Sequence, residues 1–456
     1  MAFCIGSGVN VLELDFGVWK GFGWMNEYPE NGYGYKGGQQ DPQREHSSGN
    51  DWIYRQPNQN TEDVPPGFQT GASGSNTWNA GGGAPMGGPQ QPYGWDPYAQ
   101  QNAQPGVPPG WTPPPQTGYA YMQGLGFVEE RPDMKEKRSI KQTVTAVSLT
   151  AVLFSVLSGL LVLPMTFLFH LFTDQIYYDA QQGRTVATTQ LMASIFNNTI
   201  YILCLLTCIV LLFLALRRPF SMKRLFQVPK AEPALLSVPI FLGVTVVSSG
   251  LIGLLEQFLS RFRLSPVTPD FTAPEGDTAA FLVFTLCMTV VPAFLEELLF
   301  RGVIMTSLRR YGDTVALLVS SLLFALVHGN FVQAVNAFLL AMVMGYFILR
   351  TGSLWTGILL HLLNNVLATL LPLVLAGFSQ QTGELVNLII SAAFLLGGII
   401  GVVVFAVRDK HAFRLINPDG ALSVGARVKT ALLSAGFLIA AIYYVVTIAI
   451  NFEVLG

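Results

Sequence analysis

Beyond about residue 130 the chain is a succession of long apolar segments, and this pattern restricts the fold more than any other feature. They run Thr143 to Phe172, Leu191 to Leu216, Ala234 to Leu259, Thr278 to Leu308, Thr314 to His328, Val332 to Leu349, Ser353 to Ala376, Leu385 to Val407 and Ala431 to Ile450. Most reach the roughly 17 to 25 residues that a helix needs to cross a bilayer. Backbone groups in hydrocarbon must bond within the protein, so the pattern predicts an all-α, polytopic transmembrane helix bundle of eight to nine spans. Thr314 to His328 is the short segment, able to cross only if its polar end sits in protein or in a wet cavity. Hydrophobic residues make up 51% of the chain and charged ones 12%, with a net charge of -2. That balance argues for the lipid bilayer as partner and against nucleic acid.

Residues 1 to about 130 are of another kind, rich in Gly, Pro, Gln, Asn, Tyr and Ser, as in Gly81-Gly82-Gly83 and Pro113-Pro114-Pro115. A segment with no periodic apolar face cannot offset its ordering entropy, so 1–130 is expected as a disordered cytoplasmic tail and 131–456 as the membrane domain. Met1 to Leu12 has no basic stretch ahead of a long apolar one, so no cleavable signal peptide is expected. Cys4, Cys204, Cys208 and Cys287 form no CxxC and read as small core residues.

Orientation follows from the connections. With the N-terminus inside, the inner ones carry Arg131, Lys135, Lys137, Arg138, Lys141, Arg217, Arg218, Lys223, Arg224, Lys230, Arg309, Arg310, Arg350, Arg408, Lys410, Arg414, Arg427 and Lys429. The outer ones hold only Arg184, Arg261 and Arg263, an asymmetry that predicts an integral membrane protein with a cytoplasmic N-terminus. Gly397 and Gly401 have GxxxG spacing, expected to serve internal helix packing.

Into this apolar background Glu296, Glu297 and Arg301 intrude within the run from Thr278 to Leu308. A charge at the centre of a membrane helix costs roughly 2.5 to 3.5 kcal/mol on insertion scales, so such groups mark function by default. Glu297 and Arg301, at i,i+4, share a face and can pair; Glu296 is turned about 100° away and is left as the free acid. Two further segments add His328, which closes Phe324-Ala325-Leu326-Val327-His328, and His361 with Asn365, again at i,i+4. Counted from the inner ends at about 1.5 Å per residue, Glu296, His328, His361 and Asn365 all lie roughly 16 to 23 Å along their helices. Four polar groups at one depth predict one site. A buried carboxylate beside a neutral histidine suits general-base activation of water. A second histidine and an amide suit an oxyanion. The alternative chemistry is a zinc site with Glu296, His328 and His361 as ligands, although no HExxH is present. From another class, a proton-coupled transporter would use the same residue types in a proton relay, but would be expected to show repeated halves. Structurally blander readings are a packed core histidine and a buried Glu297–Arg301 pair that only fixes helix rotation. His46, His170 and His411 lie near or beyond the segment ends and are given no role.

Glu296-Glu297-x-x-x-Arg301, Phe324-x-x-x-His328 and His361-x-x-x-Asn365, in that order on successive segments, resemble the CPBP group of intramembrane proteases. This is the family of CAAX proteases and bacteriocin-processing enzymes, also called Abi, and it includes the CAAX prenyl endopeptidases. The resemblance covers about Thr278 to Ala376, as a motif core of 278–376, and leaves out the N-terminal tail. It implies an endopeptidase with a buried, cytosol-facing cavity, at the plasma membrane if the source is bacterial. It also implies Glu296 with His328 as the water-activating pair and His361 with Asn365 as the oxyanion site. The implied substrate is a membrane-associated protein or peptide, and the older view of the family as metalloproteases keeps zinc as the candidate cofactor.

Overall fold

The computed structural model describes residues 119–122, 126–129, 131–181, 183–216, 222–267, 274 and 276–454. The tail expectation for residues 1–118 lies outside them. The described residues fall into two units, one ending at Met134 and the other beginning at Lys135. In the first unit β1 (Tyr119–Met122) and β2 (Gly126–Glu129) pair antiparallel, so the last stretch of the expected tail forms a hairpin. The helix α1 spans Pro132–Leu160.

The second unit is predominantly helical. After α1 come α2 (Val162–His170) and the hairpin of β3 (Ile176–Asp179) and β4 (Arg184–Ala187). Next are α3 (Gln190–Leu216), the short α4 (Met222–Leu225), α5 (Ala231–Ser260) and β5 (Leu264–Pro266). Then follow α6 (Thr278–Glu297), a π-helix over Leu298–Met305, α7 (Thr306–Leu308), α8 (Asp313–Leu326), α9 (Phe331–Thr351) and α10 (Leu354–Ala376). The chain closes with α11 (Gln380–Arg408), α12 (Val424–Leu432), α13 (Ala435–Ile450) and β6 (Phe452–Val454), which pairs antiparallel with β5.

Among the described residues seven helices are long and apolar enough to cross a membrane, or eight if α12 and α13, bent by 58°, form one span. The expected eight to nine spans therefore reduces by length to seven or eight. The missing one is α8, whose 14 residues extend about 21 Å against a hydrocarbon core of about 30 Å. Both its ends are tied to protein. At its start the Asp313 amide donates to the Ile416 carbonyl at 2.9 Å, and Asp313 Oδ2 accepts from the Ile416 amide at 3.2 Å. Just past its other end the Gly329 carbonyl accepts from Asn451 Nδ2 at 3.0 Å, and the Asn330 side chain donates to the Val267 carbonyl.

Several basic residues in or beside the connections are paired with acids. Arg309 bonds Asp313 at 2.9 Å, Arg427 bonds Glu136 at 2.5 Å, and Arg350 bonds Asp409. Of the expected glycine pair of α11, Gly401 packs closely, a Cβ there falling 2.9 Å from Ile240, whereas at Gly397 a Cβ would make only an ordinary 3.8 Å contact with Pro239; the other close approach is at Gly398, where a Cβ would fall 2.7 Å from Gly243 Cα of α5. With glycines at the crossing the two backbones meet directly.

Candidate active site

Pro292, with no amide hydrogen, removes the helical partner of the Met288 carbonyl one turn ahead of the acids. Glu296 and Glu297 then end the α-helical part of this span. The sequence reading had it continue as α-helix to Leu308; instead it widens into the π-helix, in which Thr306 Oγ1 donates to the Arg301 carbonyl at 3.0 Å. Wide turns of this kind are frequent at functional sites. Glu297 and Arg301 meet across the junction. Arg301 NH1 donates to Glu297 Oε1 at 2.7 Å, with both side chains 0% exposed.

Glu297 Oε1 also takes His361 Nδ1, at 3.1 Å. An ionised carboxylate only accepts, so Nδ1 carries the proton and the other nitrogen, Nε2, is turned toward Glu296, 3.8 Å from its Oε2. That gap is too long for a direct hydrogen bond. Gly357, His361 and Asn365 share one face of α10 at intervals of four residues, and the glycine lets the acid approach: a Cβ there would lie 2.8 Å from Glu297 Oε2 and 2.4 Å from Ile348 Cδ1. Gly357→Ala is therefore expected to lower stability by about 1 to 3 kcal/mol through overpacking, read as a lower Tm in detergent. An unchanged Tm would mean that this helix contact is looser than drawn.

His328 sits in the turn after α8, where Gly329, at φ 62°, reverses the chain in the left-handed region that a side chain disfavours. Its Nδ1 lies 2.6 Å from the Phe324 carbonyl. A carbonyl cannot donate, so Nδ1 holds the proton and Nε2 keeps its lone pair. Phe324 does more than fill the motif. Its ring lies edge-on to His328 and His361, with centroids 5.0 and 5.7 Å away, and the Arg301 guanidinium stands 4.2 Å from its centroid. Such a desolvated cation over a ring is worth about 2 kcal/mol or more.

His328, His361 and Asn365 line one cavity of about 160 Å³, together with Gln333 and Asn336 of α9 and Asn364. Asn365 Oδ1 accepts from Asn364 at 3.2 Å, whereas its buried Nδ2 has no hydrogen-bond partner among the described residues. Glu296 is buried one contact behind this wall, against His361. No ion-pair contact within 4.0 Å joins it to His328. All six residues singled out by the sequence thus belong to one connected cluster, but the histidine adjoining Glu296 is His361.

The sequence reading missed Tyr201 of α3, whose hydroxyl donates to Glu296 Oε1 at 2.6 Å. A phenol in mid-span, beside Asn197 and Asn198, was the available signal. As for zinc, no three His, Cys, Asp or Glu side chains among the described residues are spaced to hold a metal ion. No step below is routed through a metal.

Residues 278–367 match the family model described as Type II CAAX prenyl endopeptidase Rce1-like. No curated protein and no solved structure matches the chain. The matched segment holds every motif residue above, and its buried Glu296, Glu297 and His361 cluster has the acid-and-histidine pattern of CAAX-type intramembrane proteases. The chain carries at residues 278–367 a Rce1-like CAAX protease domain, which supports its assignment to the CPBP (Abi) group of intramembrane proteases.

Proposed function

We propose that the chain hydrolyses a peptide bond near the C-terminus of a membrane-associated protein or peptide, with Glu296 taking a proton from the attacking water. The oxygen adds to the scissile carbonyl, Asn365 Nδ2 donates to the resulting oxyanion, and the proton on Glu296 passes to the leaving amine as the C–N bond breaks. The observation that carries this reading is the junction of a buried acid pair with a cavity whose wall holds two histidines and an unpartnered amide donor. In the family's pattern His328 assists Glu296 and His361 assists Asn365. The 3.8 Å between Glu296 and His361 favours a second reading, in which the two histidines exchange these duties.

The remaining wall supports a peptide substrate. Gln333, Asn336 and Asn364 offer neutral donors and acceptors that suit a peptide backbone, and the wall carries no Lys, Arg, Asp or Glu among the described residues. The family description makes a prenylated C-terminal segment the first substrate to try. The finer topology belongs to the same reading: α8 makes a ninth crossing inside the protein, supported by the bonds at its two ends, and the Lys and Arg asymmetry supports a cytoplasmic N-terminus.

The test is cleavage of a fluorogenic peptide, farnesylated on a cysteine followed by three C-terminal residues, by the full chain in detergent with and without a strong chelator. Cleavage that survives the chelator is expected. Inactivation reversed by stoichiometric zinc would replace the glutamate mechanism with a metal one and keep the protease. Cleavage of unprenylated peptides alone would overturn the substrate class.

A further inference from the structure

We infer that Tyr201 is a positioning residue for Glu296, holding one carboxylate oxygen so that the other is the one presented to water; the inference rests on the role of Glu296 proposed above. A carboxylate rotates about its last carbon–carbon bond, and its two oxygens are equivalent until something distinguishes them. Here one thing does. The Tyr201 hydroxyl donates to Oε1 at 2.6 Å, within the range of a charge-assisted O–H···O⁻ bond, while Oε2 is buried with no hydrogen-bond partner among the described residues. Oε2 is also the oxygen nearest His361 Nε2. The phenol therefore leaves unpaired the oxygen that faces His361, which is itself part of the cavity wall.

Tyr201 is itself held. It is 6% exposed, and its ring meets Phe154 of α1 edge to face, with centroids 6.0 Å apart at 82°. A side chain of α3 that rests on α1, and lies outside residues 278–367, thus sets the rotation of an acid on α6. A buried phenol without this partner would pay the full desolvation of its hydroxyl, so the bond is kept in the resting protein and not formed only with substrate.

The experiment compares Tyr201→Phe and Phe154→Leu in the full chain, with the farnesylated peptide as probe. Tyr201→Phe keeps the ring and removes the donor; its expected effect is a fall in kcat of at least about tenfold, as one part of a general-base contribution of about 10²- to 10⁴-fold, with KM nearly unchanged. Phe154→Leu, which only loosens the ring's packing, should lower Tm and keep kcat within about threefold. Unchanged kcat in Tyr201→Phe overturns the inference. So does a loss of kcat in proportion to Tm in both variants, which would make Tyr201 a packing residue. Difference infrared spectra give a reading independent of turnover: the Glu296 carboxyl band, assigned with Glu296→Gln, should shift in Tyr201→Phe. Absence of a shift overturns the inference whether or not the peptide is cut, whereas an inactive wild-type chain with the shift present counts against the protease reading alone.

Discussion

Glu296→Ala is expected to reduce turnover of the farnesylated peptide by at least about 100-fold, the lower bound for removing a general base, while the protein stays folded. The fold tolerates the change because Glu296 is not the partner of Arg301; what it leaves behind is one buried tyrosine hydroxyl, at a cost of about 1 to 3 kcal/mol. His328→Ala and His361→Ala should each fall by a comparable factor. The double variants then separate the two readings of the site. A residue that works with Glu296 as a unit adds little further loss once Glu296 is gone, whereas one that serves the oxyanion adds its own. With His361 3.8 Å from Glu296 Oε2, the non-additive pair is expected to be Glu296 with His361. Near-normal turnover in Glu296→Ala would remove it from the chemistry altogether.

Arg301→Ala is expected to be the most damaging change to stability. It strands the Glu297 carboxylate at a site with no exposure, and breaking a buried pair from one side costs about 3 to 5 kcal/mol. It also takes the guanidinium off the face of Phe324, loosening the ring against which both histidines lie. Glu297→Ala/Arg301→Ala should be less damaging than Arg301→Ala alone, because no charge is left unpaired. The comparison is made by unfolding in detergent; losses that simply add would mean that the pair is uncoupled.

The motif residues were legible because each breaks a strong rule of its surroundings. Glu296, Glu297, Arg301, His328 and His361 are polar groups where hydrocarbon penalises them, and spacing of four assigns Glu297 to Arg301 and His361 to Asn365 without any tertiary knowledge. Spacing gives the face of a helix, not the neighbour across from it. That is why spacing alone does not say which histidine adjoins Glu296, where α10 brings His361 to 3.8 Å, and why Tyr201, 95 residues from its partner, was missed. The widened turn after Glu297 leaves no periodic trace in Leu298–Met305. The short α8 was noticed as an anomaly, since length is read directly, but only the bonds at its ends indicate how a 14-residue helix is accommodated.

Residues 278–367 recur as a family, yet mechanically they are not a unit. The Tyr201 hydroxyl completes Glu296, Ile416 completes Asp313, Asn451 completes the carbonyl beside His328, and Gln227 holds the turn at Gly352 and Ser353 between α9 and α10. Each of these partners lies outside the recurring segment. Cut out of its chain, the segment would expose four polar seams at once, so the part that chemistry preserves and the part that can stand alone have different borders. Shortening, fusing or splitting this protein is thus governed by the seams rather than by the motif, and the last helix, which bears none of the reacting groups, is capped by the Asn451 that holds the turn after His328.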